Sequence, residues 1–60
     1  MTRTDWEINI ENLAASVAEK YGSEEVAFIF SKYGASCFDD LSPVHYGNVF
    51  DELDLRDADG

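Results

Sequence analysis

Four side chains within one short stretch of the chain are of the types that hold a metal ion. Cys37, Asp39, Asp40 and His45 lie within nine residues, and zinc accepts thiolate, carboxylate and imidazole ligands. Their spacing matches no common zinc pattern, and a lone cysteine beside Phe38 is more typical of a packed apolar residue. We therefore expect neither a metal site nor a metal cofactor.

The chain offers little else for catalysis. His45 is the one histidine, and it falls in the first turn of a predicted helix, where the helix dipole disfavours a positive charge. No partner stands at a recognisable spacing that would make it a general acid or base. The four glycines are isolated, so the sequence contains no glycine-rich phosphate loop. We expect a protein that is not an enzyme and needs no cofactor.

Charge is the dominant feature of the composition. Thirteen acidic residues stand against four basic ones, which gives a net charge of −9. The segment 39–60 alone carries −6, and the first part of the chain carries the remaining −3. Nucleic acid and anionic lipid would repel such a surface, so we expect direct binding to neither. With 45% hydrophobic and 13% aromatic residues, the chain is nevertheless too apolar for a disordered acidic tail.

The apolar residues of the first segment repeat with helical spacing. Between positions 5 and 21 they recur every three or four residues and share one helix face, which comprises Trp6, Ile10, Leu13, Ala14, Val17 and Tyr21. Thr4 and Glu7 fit a capping box at the start of this helix. Ile8 interrupts the pattern, because Trp6, Ile8 and Ile10 also alternate as in a strand. The sequence therefore leaves open whether residues 5–10 are helical or extended.

A second helix is predicted near 24–33. Ser23 precedes two glutamates, as an N-cap residue would, and Gly34 provides a stop signal. Because residues 26–30 read Val-Ala-Phe-Ile-Phe, a buried strand is the alternative for this segment.

The third helix is predicted near 43–53. Ser42 followed by Pro43 is a strong start signal, because proline suits the first position of a helix. Residues 54–60 are acidic and poor in apolar side chains, and we expect a frayed tail there. Residues 1–60 are thus expected to form one compact all-α domain of three helices, since a chain of this length allows a single core.

The single cysteine and the short apolar runs indicate a compartment. Cys37 has no second cysteine with which to form a disulfide within the chain. The longest apolar run is the segment 26–30, far shorter than a membrane-spanning helix requires. We expect a cytoplasmic protein with neither a signal peptide nor a membrane span.

Carboxylates spaced along helices can imitate a phosphate backbone, which presents one charge per about 1.7 Å of duplex axis. A basic cleft of a nucleic-acid-binding protein would then accept this chain in place of nucleic acid. The acids expected to carry the contact are Asp39, Asp40, Asp51, Glu52 and Asp54, with Glu24 and Glu25 as secondary candidates.

In size and charge, with Asp51-Glu52-Leu53-Asp54 and the pair Glu24-Glu25 on a helical scaffold, the chain resembles small inhibitors encoded by phages and mobile elements. These include antirestriction and anti-CRISPR proteins that act as DNA mimics. The resemblance covers the whole chain as a similarity of composition and includes no diagnostic motif. It implies an inhibitor that occupies a nucleic-acid-binding site.

A second hypothesis assigns function to apolar surface. A small core leaves aromatic and aliphatic area uncovered, and a partner that covers this area would stabilise the domain. The candidates are Trp6, Ile8 and Phe28, which would join the chain to a partner helix or to a second copy in a homodimer. The acidic residues would then serve solubility alone.

Overall fold

The first helix, α1, spans Arg3–Tyr21 in the computed structural model of the chain, which describes residues 2–59. Its capping box pairs Thr2 with Asp5: the Asp5 amide donates to Thr2 Oγ1 at 3.1 Å, and the Thr2 amide donates to the Asp5 carboxylate at 3.2 Å. The predicted box of Thr4 and Glu7 is wrong, because the cap lies two residues earlier. Residues 5–10 are helical and not extended, so Ile8 points outward at 54% exposure.

A glycine joins the first two helices without a loop. Gly22 has φ +94° and ψ 155°, a backbone conformation that residues other than glycine rarely adopt. It caps α2, which spans Ser23–Ser31, so the predicted N-cap role of Ser23 is not observed. The helix ends at Ser31, two residues before the predicted end at 33, and the predicted stop residue Gly34 lies in the turn that follows: its φ is +75°, and the Ala35 amide donates to the Phe30 carbonyl at 3.2 Å. The segment is helical, so the strand alternative is wrong.

The connection to the last helix covers the end of the core. It contains two short 3₁₀ turns, Phe38–Asp40 and Pro43–His45. Ala35, Phe38 and Leu41 are buried along it. Pro43 occupies the first position of the second turn, as its φ preference predicts.

The third helix, α3, spans Tyr46–Asp59 and follows the second 3₁₀ turn directly. It continues six residues beyond the predicted end at 53. The expected frayed tail is therefore helical over 54–59, and its last residue, Gly60, lies outside the described residues. The extension has a physical cause, because Asp57 is held by α1: Ser16 Oγ donates to its carboxylate at 2.6 Å and Lys20 Nζ lies 2.9 Å from it.

The three helices enclose one apolar core, and the all-α, three-helix architecture predicted from the sequence is confirmed. Within residues 2–59, ten hydrophobic residues are buried: Ile10, Val17, Ile29, Phe30, Ala35, Phe38, Leu41, Tyr46, Val49 and Leu53. No polar or charged residue of this range is buried, so its charged groups lie outside. Among residues 2–59, no helix combines the length and apolar character needed to cross a membrane.

Candidate functional site

All four basic side chains of the protein are bound to carboxylates on other parts of the fold. Each pair joins residues distant in sequence, and the closest N···O distances are Arg3–Asp39 3.4 Å, Lys20–Asp57 2.9 Å, Lys32–Glu52 2.6 Å and Arg56–Glu25 3.1 Å. The cations therefore act as internal connections between helices. Exposed ion pairs contribute little stability individually, so their main consequence is for the charge presented outside.

Glu52 is held by two side chains of the fold. It is half-buried, pairs with Lys32, and accepts a hydrogen bond from the Tyr33 hydroxyl. The ammonium of Lys32 and then the Tyr33 hydroxyl lower the pKa of the Glu52 carboxyl, because both favour its charged form. The same contact raises the pKa of Tyr33, since losing its proton would place two negative charges together. Glu52 is thus occupied within the fold.

Three of the seven acids predicted as contact residues are engaged in this way, namely Glu25, Asp39 and Glu52. Their partners lie 20 to 36 positions away in the sequence, a separation that helical periodicity cannot anticipate. Asp57, which had no predicted role, belongs to the same group. Its pKa is lowered by the hydrogen bond from Ser16 and by Lys20.

Pairing redistributes the charge of the molecule. Three of the four pairs join a base from the first part of the chain to an acid beyond position 38. Nine acids have no Lys or Arg partner within residues 2–59, and they account for the net charge of −9: Asp5, Glu7, Glu11, Glu19, Glu24, Asp40, Asp51, Asp54 and Asp59. The excess that the sequence places in 39–60 is therefore spread over all three helices.

The outer face of α3 carries two of these acids side by side. Asp51 and Asp54 are exposed, one turn apart, on the side of the helix away from buried Val49 and Leu53. Exposed Leu55 lies next to them in the sequence.

The other two predicted contact acids without a basic partner are exposed on separate elements. Asp40 ends the first 3₁₀ turn and accepts a hydrogen bond from Ser36 Oγ at 2.5 Å. Glu24 lies in the first turn of α2, where its charge suits the helix dipole.

The apolar candidates behave differently from one another. Trp6 packs against the core, with its ring centroid 6.1 Å from Tyr46 and 5.9 Å from Phe50. It is a structural residue and does not provide the uncovered aromatic area expected of it. Ile8 and Phe28 are exposed, at 54% and 57%, and Lys32 Nζ lies 5.1 Å from the centre of the Phe28 ring.

An open groove of about 390 Å³ separates α1 from α2. Small or apolar side chains line its two walls, chiefly Ala14, Ala15 and Ala18 of α1 and Val26, Ala27 and Phe30 of α2. Cys37 and Phe38 also line the groove, and Glu11 lines it from α1. Cys37 is exposed there, so the expectation that it is packed is wrong. We call this feature the α1–α2 groove.

Two surfaces are thus candidates for function: the acidic outer face of α3 and the α1–α2 groove. The residues considered for metal binding form no cluster, since residues 2–59 contain no group of three or more His, Cys, Asp and Glu side chains placed to hold an ion. The His45 ring packs 5.0 Å from that of Tyr33. Comparisons with protein families, with curated proteins and with solved structures gave no match to this chain.

Proposed function

We propose that this protein is a non-enzymatic, cytoplasmic inhibitor that binds the basic surface of a nucleic-acid-binding protein and excludes nucleic acid from it. The observation that carries the proposal is the pairing of all four basic side chains within the fold. The charge presented to a partner is consequently negative on every helix. Phages and mobile elements encode inhibitors of this kind, and the chain resembles those inhibitors in size and charge.

Asp51 and Asp54 form the centre of the proposed contact. They are separated by about 4.5 Å along the helix axis, since each residue rises about 1.5 Å. The phosphates of one DNA strand succeed one another every 3.4 Å or so along the duplex axis, about the same axial scale, so a cleft built for phosphates can engage both carboxylates. Asp40 and Glu24 add exposed charge on neighbouring elements. Glu25, Asp39 and Glu52 leave the contact set, because each already has a cationic partner.

Electrostatics would act mainly on the rate of encounter. A field of one sign steers a basic partner from a distance, and this attraction weakens as salt screens it. Inhibition then follows from occupancy, because a basic cleft filled by carboxylates has no room for a phosphate backbone. No chemical step is required of the protein.

The test is capture on the immobilised protein, at about 50 mM and about 300 mM salt, followed by release with duplex DNA. We expect nucleic-acid-binding proteins to be captured at low salt, lost at high salt and released by DNA. The double variant Asp51→Asn/Asp54→Asn should lose this capture while its circular dichroism remains that of the parent. A double variant that captures as well as the parent contradicts the proposal.

A matched control removes the same amount of charge elsewhere. The double variant Glu25→Gln/Asp39→Asn also loses two negative charges, but both carboxylates are paired with arginines in the parent. We expect it to retain capture, provided that circular dichroism shows the fold intact. Equal losses in the two double variants would mean that net charge alone is responsible and that the outer face of α3 is not the contact.

The exposure of Ile8 and Phe28 favours a second candidate function, that of an adaptor that joins a partner through apolar surface. This function predicts binding that is insensitive to salt and is lost in Phe28→Ala. Since Phe28 lies outside the core, the variant should keep its fold. Salt-sensitive capture that survives Phe28→Ala would exclude the adaptor function.

A further inference from the structure

The α1–α2 groove exists because α1 presents alanines where it faces α2. The side chains that line the groove from α1 are largely methyl groups, those of Ala14, Ala15 and Ala18, and Ala27 of α2 is equally small. The bottom is apolar, with Val26 and Phe30 extending from the core. Walls of this kind accept the apolar face of a helix, because small residues let a partner approach closely and buried apolar area drives association.

Negative charge lines the α1 side of this groove. Glu11 forms part of the wall, and Glu7 lies one turn earlier on the same helix face. Neither has a Lys or Arg partner by ion pairing within residues 2–59. Like charges four residues apart destabilise a helix slightly, so a cation placed between these two acids would relieve that repulsion.

The charge of the molecule decides which occupant fits. A second copy would bring another −9, and all four of its Lys and Arg side chains would already be held in internal pairs. Two copies docked at this groove would repel each other, with every Lys and Arg side chain already paired within its own copy. The complementary occupant is apolar along one side and positively charged beside it.

We propose that the α1–α2 groove binds a basic amphipathic helix of a partner protein. Apolar side chains at positions i, i+3 or i+4, and i+7 of that helix fill the space above Ala15, Ala18 and Ala27. Lys or Arg side chains beside them pair with Glu7 and Glu11. This site is separate from the outer face of α3 and does not depend on competition with nucleic acid.

The native Cys37 provides a direct readout, because it is exposed and lines the groove. The probe is a synthetic peptide of about 18 residues, long enough to span about 27 Å as a helix, with leucines on one face and lysines beside them. The rate at which Cys37 reacts with a thiol reagent should fall more than about tenfold at peptide concentrations far above Kd. A peptide with glutamates in place of the lysines, and a scrambled peptide of equal composition, should give no protection.

Two variants test the location. Ala18→Leu fills the groove and should abolish protection. Glu11→Lys should weaken peptide binding by about tenfold or more, because it places like charges together. The matched control, Asp59→Lys, makes the same charge change at the end of α3, where a cation suits the helix dipole, and should change Kd by less than about twofold.

Four outcomes would overturn the proposal. Protection by the scrambled peptide, or equal weakening in Glu11→Lys and Asp59→Lys, would reduce the effect to nonspecific charge attraction. Undiminished protection in Ala18→Leu would place the peptide elsewhere. Cys37 protection that rises with protein concentration alone, together with a dimer by light scattering, would make a second copy the occupant. All of these measurements use the isolated chain, so they stand apart from the test of nucleic-acid competition.

Discussion

The two sides of α1 are built in opposite ways. Towards α3, large rings close the interface: Trp6 packs on Tyr46 and Phe50, and Phe38 stacks on Tyr46 with centroids 4.8 Å apart. Towards α2, alanines leave the α1–α2 groove open. One helix therefore has a filled interface and an open one.

The filled interface stabilises the fold, whereas the open one is available for binding. Aromatic burial on the α3 side supplies the apolar area that a small domain needs, and every ring there is already in contact. On the α2 side the helices are joined by the Gly22 turn, which keeps them close without requiring large side chains between them. Space left open on a helix pair held together by its turn can be used for binding.

Truncating the filled interface should have the largest effect. Trp6→Ala removes the ring that joins α1 to Tyr46 and Phe50, and we expect a loss of about 3 kcal/mol in the free energy of unfolding, at the low end for tryptophan because Trp6 is only half-buried. Urea denaturation followed by circular dichroism measures it. Ile8→Ala, on the exposed side of the same helix, should change stability by less than about 0.5 kcal/mol. Similar losses in the two variants would mean that this interface is not the main support of α1.

Adding volume should distinguish the two interfaces next. Val49 is fully buried in α3, so Val49→Phe overpacks the core and should cost about 2 kcal/mol. Ala18→Leu adds a larger side chain on the groove side, where space is available, and should change stability by less than about 0.5 kcal/mol. Thermal unfolding of both variants measures the contrast. A cost for Ala18→Leu as large as that for Val49→Phe would show that the groove closes in solution.

A change that touches neither interface gives a reference for both. Gly47 lies in α3 with no positive φ, and a Cβ built there meets no atom within 4 Å. Gly47→Ala should therefore stabilise the chain by about 0.5 to 1 kcal/mol, because alanine has the higher helix propensity. Peptide binding at the groove should be unchanged. A destabilised Gly47→Ala variant would indicate that the first turn of α3 has less room for a methyl group than the clearance of 4 Å around Gly47 implies.

The fold followed from local signals in the sequence. The spacing of Ile10 and Val17 predicts a helix, and the predicted stop residue Gly34 lies in the turn that follows α2. The end of α3 was missed because its support comes from Lys20 and Ser16 on another helix. The local sequence of residues 54–60 does not reveal contacts with another helix.

The candidate surfaces were less predictable, for the same reason. The sequence contains every acid but does not show which acids meet a base after folding, so it predicts Glu52 and Asp39 as contact residues although both are paired within the fold. The groove depends on Ala15 of α1 and Ala27 of α2 lining the same space. One signal was present in the sequence. Alanines at 14, 15 and 18 lie on one side of α1, and their small side chains fill little of the space beside the helix.

Ionic contacts made by α3 should give the smallest effect, and this effect should depend on pH. Folding lowers the pKa of Glu52 below its ordinary value of 4.5 and that of Asp57 below 3.8. Each carboxyl thus favours the folded state above its ordinary pKa, and this contribution is lost as the pH falls through the lower folded-state pKa.

The difference in unfolding free energy between the parent and Glu52→Gln should be constant near neutral pH and shrink below about pH 4.5. Since solvent screens these partly exposed pairs, the difference should stay below that for Trp6→Ala. A parent–Glu52→Gln difference that persists unchanged to pH 3 would mean that the charge of the Glu52 carboxylate is not what makes its contact with Lys32 and Tyr33 stabilising.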